Sequence, residues 1–169
     1  MTPAALALVL VGAFIHALWN LLAKRAQGGA PFVCMFSAVA LVVYAPLVAA
    51  ILVWQRPHIG LVQLVFIAGT AVLHTGYFLA LQQGYRFGDL SLVYPLARGT
   101  GPLLATVAAI VLYGERPTPI ALCGVALIGV GVFILTGGPA ELLRSGSRTA
   151  VVFALLTGAT IATYTLWDK

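Results

Sequence analysis

Three stripes of side chains could do chemistry in this chain, and each lies inside an apolar run. In the stretch from Leu92 to Arg116, Arg98 stands among apolar residues, with Tyr94 one turn before it and Pro102 one turn after it. An arginine about two turns into an apolar span costs roughly 3 kcal/mol to insert. Its functional reading is a cavity residue that holds an anionic group, such as a substrate carboxylate, or that pairs with an acid elsewhere. The competing reading is snorkelling to the headgroups, because Arg98 lies only nine residues beyond Asp89. His16, Trp19, Asn20 and Ala23 follow the spacing i, i+3, i+4, i+7 and share a second helical face. His74, Tyr77, Phe78 and Gln82 share a third. These polar-capable side chains either line a cavity or act as interhelical glue, at about 0.6 kcal/mol per contact. His74 near mid-span is either a proton relay or a neutral core histidine.

Other chemistries find no footing. The chain has no HExxH, GxSxG, Walker loop or GxGxxG following a strand. Its four acidic residues lie at or near span ends, so no paired acids or activated nucleophile sit within the membrane. The expectation is therefore no enzyme and no catalytic residues. His16 and His74 lack a neighbouring acid or cysteine that would complete a metal site, and no cofactor is expected. Cys34 and Cys123 lie in apolar runs without a CxxC spacing.

The elements that must position these stripes are read from composition. Of 169 residues, 62% are hydrophobic and 8% charged, with mean hydropathy +1.06. A soluble domain carries about 25% charged residues, so the lipid bilayer is the expected surroundings. The net charge of +5 then bears on membrane orientation. The basic residues are scattered, and no nucleic-acid partner is expected. Apolar runs predict spans over 3–23, 31–54, 59–82, about 92–113 and 120–135, with a sixth from about 149. Thr2-Pro3 reads as a helix start, Asp89 as an N-terminal cap, and Pro46, Pro95 and Pro102 as bends. Ala97, Gly101, Ala105 and Ala109, spaced by four, form a ladder on which another helix can pack closely. The runs are too long, and alternate too little, for transmembrane strands. The fold class is all-α, a polytopic membrane helical bundle.

The sixth run resembles the first: Leu166-Trp167-Asp168 echoes Leu18-Trp19-Asn20, and Gly158-Ala159-Thr160-Ile161 echoes Gly12-Ala13-Phe14-Ile15. The expected organisation is a five-helix unit over 1–136, a linker over 137–148, and the first helix of a second, truncated repeat over 149–169. On that expectation the chain is the first half of a longer protein plus one helix.

The segment Ala80-Leu81-Gln82-Gln83-Gly84, then Tyr94-Pro95-Leu96-Ala97-Arg98, then Leu112-Tyr113-Gly114-Glu115-Arg116-Pro117, and the Gly-rich run Gly124 to Val132, resemble the EamA domain of the drug/metabolite transporter superfamily. The opening His16-Ala17-Leu18-Trp19-Asn20-Leu21-Leu22-Ala23-Lys24 is similar to that family as well. The resemblance implies one five-helix EamA repeat plus one further transmembrane helix, taken from a protein of two inverted repeats. It implies alternating-access transport of small metabolites or drugs across the inner (plasma) membrane, through a cavity lined by the first, third and fourth spans. The expected solute-binding residues are Arg98, Tyr94, His16, Trp19, Asn20, His74 and Tyr77, and the expected solute is a small molecule, anionic if Arg98 is its contact. The cavity would be completed by a C-terminal half or by a homodimer. Two alternatives are a dimerising subunit of small multidrug-exporter type and a non-transporting membrane accessory protein. Lys24, Arg25, Arg86, Arg144 and Arg148 in one set of loops, against Arg56, Arg116 and Lys169 in the other, favour an outside N-terminus. The resemblance implies an inside one, and the reading follows the resemblance.

Overall fold

The computed structural model describes residues 2–137 and 148–169; nearly all of the expected linker lies outside these. The described residues form six α-helices and no strand. They are α1 (Pro3–Ala26), α2 (Gly29–Gln55), α3 (Leu61–Phe87), α4 (Leu90–Tyr113), α5 (Pro119–Leu135) and α6 (Arg148–Trp167). All but α5 are long and apolar enough to cross a bilayer. With 17 residues, α5 measures about 25 Å against a hydrocarbon core of about 30 Å. The protein is a multi-pass, all-helical membrane bundle.

Local chemistry accounts for most boundaries. Thr2 accepts the Ala5 N–H and Pro3 opens α1, and Thr118 with Pro119 repeats that start at α5. Gly114 ends α4 at φ 65°, the left-handed conformation that a residue with a Cβ adopts at a cost. Pro46, Pro95 and Pro102 lie inside helices that continue through them. Two expectations need correcting. First, α3 does not close at Gln83-Gly84 but runs on to Phe87. Gly84 lies inside that helix, where an added Cβ would come within 2.9 Å of Val93 and meet Phe153 and Ala154 at ordinary contact distance. Second, Asp89 occupies the cap position of α4, but its exposed side chain makes no capping hydrogen bond.

Burial is concentrated at the end of the bundle where α1 and α3 finish. It comprises Asn20 and Ala23 of α1, Gly29 and Val33 of α2, Tyr77 to Tyr85 in α3, and Val93 to Gly101 in α4. At this end the Lys24 ammonium donates to the carbonyls of Tyr85 and Gly88, satisfying groups that the last turn of α3 cannot pair itself. From there α6 starts with Ala150 against Gly88, and it ends with Trp167 against Gly69. It therefore runs antiparallel to α3, and it makes its most extensive contacts with α3 and α4. Ala150, Ala154, Gly158 and Ala162, all buried and spaced by four, give α6 a narrow face. The partner of the α4 small-residue ladder is this helix, with Gly101 on Ile161 and Ala97 on Gly158. By contrast, α5 has no buried residue.

Replacing Lys24 with methionine keeps the stem and removes two charge-assisted hydrogen bonds. Because part of that loss is recovered by water, the expected destabilisation is about 1–3 kcal/mol. Thermal unfolding of the detergent-solubilised protein reads it as a lowered midpoint.

Candidate functional site

The three stripes of the sequence meet around one guanidinium. Arg98 is set on α4 between Ala97, which is fully buried, and Gly99, which lies against Val132 of α5. This close seating fixes the backbone and turns the side chain toward α1 and α3. Nη2 of Arg98 donates to the Tyr77 hydroxyl at 2.8 Å and to Nε2 of His16 at 3.1 Å. The guanidinium carbon lies 5.6 Å from the Tyr77 ring centre and 6.0 Å from that of Tyr94, within the range of a cation–π attraction. Nε of Arg98 is buried and has no hydrogen-bond partner. Among the described residues no carboxylate reaches Arg98, and the one ion pair is Lys169 with Glu115. One turn on, Pro102 has no N–H to offer the Arg98 carbonyl.

His16 is defined by that contact. A guanidinium only donates, so Nε2 of His16 must accept, and the imidazole is neutral with its proton on Nδ1. His74 lies on α3 one turn before Tyr77. Its Nδ1–H donates to the Thr70 carbonyl at 2.9 Å, and its ring stacks on Tyr164 of α6 at 4.3 Å. Tyr164 stands edge-on to Tyr77 at 6.0 Å. A continuous contact path thus runs from His74 through Tyr164 and Tyr77 to Arg98 and His16. Beyond it, the Thr70 hydroxyl donates to Asp168 at 2.5 Å.

Two residues of the expected set find their partners elsewhere. Asn20 donates to the His16 carbonyl at 2.7 Å and accepts from the Tyr85 hydroxyl at 2.9 Å; it is buried, and its amide carries both bonds inside the bundle. Trp19 packs against Phe32 and Phe36 of α2, with ring centres 5.8 and 4.7 Å away. Both side chains hold α1 in place, and with it the His16 ring. Gln82, from the α3 stripe, is buried with Oε1 unpartnered.

Sequence reasoning missed Tyr164 and Tyr85. Tyr164 was within reach: aligning Leu18-Trp19-Asn20 with Leu166-Trp167-Asp168 sets Tyr164 at the position of His16. Tyr85 was hidden because its segment read as a loop. A separate groove of about 630 Å³ between α4 and α6, lined by residues such as Leu104, Val111, Ala159 and Leu166, holds none of the stripe residues and is almost wholly apolar.

The arrangement is suited to holding an anion. It offers a cation kept in the bundle by neutral acceptors and ring faces, with no acid beside it among the described residues. Comparison with known proteins gives a consistent picture. The model of the EamA-like transporter family matches residues 3–137, which include α1 to α5 and every residue of the site except Tyr164 of α6. No curated protein matches the chain, and no solved structure does. The helical membrane bundle and the match over most of its length make this chain a member of the EamA-like transporter family, whose proteins are membrane transporters and not enzymes.

Proposed function

We propose that this chain forms one half of a pathway that moves small anionic organic solutes across the inner (plasma) membrane by alternating access. Arg98 is the anchor for the anion. Tyr77, Tyr94 and His16 are the walls of the pocket, His74 backs it through Tyr164, and Trp19 and Asn20 fix the first helix. The observation that carries the reading is the Arg98 guanidinium, turned into the bundle onto Tyr77 and His16 with no carboxylate in reach among the described residues. A cation held in an apolar span without a counter-charge is costly, and a solute anion supplies that charge for part of each cycle. The proposed division is a five-helix unit over 1–136 and the first helix of an inverted repeat over 149–169. The direction of α6, opposite to α3, and the echo between Trp19 and Trp167 support it. Burial gathered at the Lys24 end supports a pathway that opens toward the other end.

The test is thermal stabilisation in detergent. A ligand that binds only the folded protein raises its stability by about 2.7 kcal/mol at a hundred times its dissociation constant. Pyruvate, glutamate or methanesulfonate should raise the unfolding midpoint of the wild type and leave Arg98→Gln unmoved, while choline and glycerol should act on neither. Equal stabilisation by choline, or an anion response that survives Arg98→Gln, would remove Arg98 as the anchor.

A further inference from the structure

We infer that Lys24 is the latch of a gate, holding its end of the pathway shut in this structure and letting go when that end opens; the inference rests on the alternating access proposed above. On α1, His16, Asn20 and Lys24 follow one another at i, i+4 and i+8 and form one stripe. Each makes a polar contact with a neighbouring helix. His16 meets Nη2 of Arg98 at the anion site. One turn on, the Asn20 amide oxygen accepts from the Tyr85 hydroxyl at 2.9 Å. One turn further, the Lys24 ammonium donates to the carbonyls of Tyr85 and Gly88. Between the Arg98 site and this end, α1 and α3 are thus joined by two polar layers. Asn20, Ala23 and Tyr85 are 3%, 2% and 0% exposed, which leaves no room for a solute between them. The other half of α1 is free of such ties. From Pro3 to Leu18 no residue is buried, and among the described residues none before His16 makes a polar contact with another helix. Access from the Lys24 side therefore requires α1 to part from α3 at these two layers.

The outer layer suits a contact that is made and broken. Its two carbonyls stand where α3 gives way to α4, and they are held from outside that helix by a cation on a flexible stem. Lys24 is itself only half-buried, and Arg25 beside it is exposed. On release, water can take the carbonyls and the ammonium can extend to water or to headgroup phosphates, so no polar group of this layer is left orphaned. The rest of the bundle does not depend on this contact. Val93 of α4 packs directly on Gly84 and Gly88. At the opposite end α6 is tied to α3 through Asp168 with Thr70 and through the Trp167 indole with the Phe66 carbonyl. Lys169 is paired there with Glu115, just beyond α4. α1 takes part in none of these ties, so parting it from α3 leaves them intact.

Thiol labelling tests this in the detergent-solubilised chain. Cys34 and Cys123, both exposed, are first changed to serine. Two buried reporters are then compared with a charged, water-soluble maleimide. Ala23→Cys lies beside the latch on α1 and Val93→Cys between α3 and α4, at positions 2% and 0% exposed. With Lys24 in place, the thiol at 23 should react slowly but measurably and the thiol at 93 should stay unlabelled, because a latch that cycles opens from time to time. Lys24→Met should speed labelling at 23 at least about tenfold, since a hydrogen bond from a charged group holds a contact by roughly that factor or more, and should leave 93 unlabelled. If the thiol at 23 is as inert as that at 93 while Lys24 is present, the lysine is a fixed cap and the latch is overturned, whether or not Lys24→Met folds. The latch is overturned equally if Lys24→Met leaves the rate at 23 unchanged, or raises both rates together as general loosening would. No solute takes part in these readings. A latch that opens as expected in a protein that moves no anion counts against the proposed function alone, and a fixed cap leaves the anion site at Arg98 standing.

Discussion

Arg98→Ala is expected to reduce transport of an anionic solute at least about 30-fold, because removing one partner of a desolvated charge pair costs about 2–5 kcal/mol. The loss is larger than that of one contact. The guanidinium is the common partner of α1, through His16, and of α3, through Tyr77. Alanine leaves a buried tyrosine hydroxyl and an imidazole facing an empty space with nothing to receive. Arg98→Lys keeps the charge but replaces the fork with a point donor. An ammonium at the end of a shorter, flexible stem cannot hold both acceptors and meet an anion in a fixed geometry, and about tenfold loss is expected. Uptake of radiolabelled anion by cells or proteoliposomes, normalised to protein in the membrane, checks both. Wild-type rates in Arg98→Ala would dismiss the guanidinium from the mechanism, and equal losses in alanine and lysine would assign it a structural part only.

Gly158→Val is expected to prevent α6 from seating, with little folded protein recovered. A Cβ at Gly158 would overlap the Thr100 hydroxyl and come within 3.2 Å of the Ala97 carbonyl. The second of these is backbone and cannot rotate away. Overpacking of a tight core costs about 1–3 kcal/mol where side chains give, and more is expected where the obstacle is a helix backbone. Gly158→Ala should already be harmful, because the added methyl is the clashing atom itself. The control is Gly124→Ala on α5, where an added Cβ meets nothing within 4 Å. There the better helix propensity of alanine, about 1 kcal/mol in a helix interior, should leave stability equal or slightly raised. Size-exclusion profiles and thermal unfolding in detergent separate the two cases. A well-folded Gly158→Val would show that α6 is not held by close approach.

The site's outline was legible because a polar side chain in an apolar helix has few places to go. Arg98, His16 and Tyr77 were picked from three separate runs, and one guanidinium nitrogen joins all three. Less could be read about which polar residues face one another. Asn20 shares its stripe with His16, yet its amide goes to Tyr85, a contact 65 residues away that spacing does not encode. The same limit hid the partner of the Ala97-Gly101 ladder, since small residues announce a close approach without saying to what. The end of α3 was misjudged for a related reason. Gln82-Gln83-Gly84 has the composition of a turn, yet it continues the helix, with Gly84 packed closely on Val93, a contact that composition does not encode. Asp89 had the right type and position for a cap, and its side chain stays in the open all the same.

The sixth helix lies wholly beyond the stretch that the family model matches, yet it fills the space between the third and fourth. A ribosome delivers these segments in order. When the fourth has left the translocon, Gly84 and Gly88 can already meet Val93, but the narrow face around Gly101 lacks its partner Ile161 until the sixth arrives. The stretch that the family model matches is therefore not the stretch that packs together: the close contacts of the third and fourth helices are completed by a helix from beyond it.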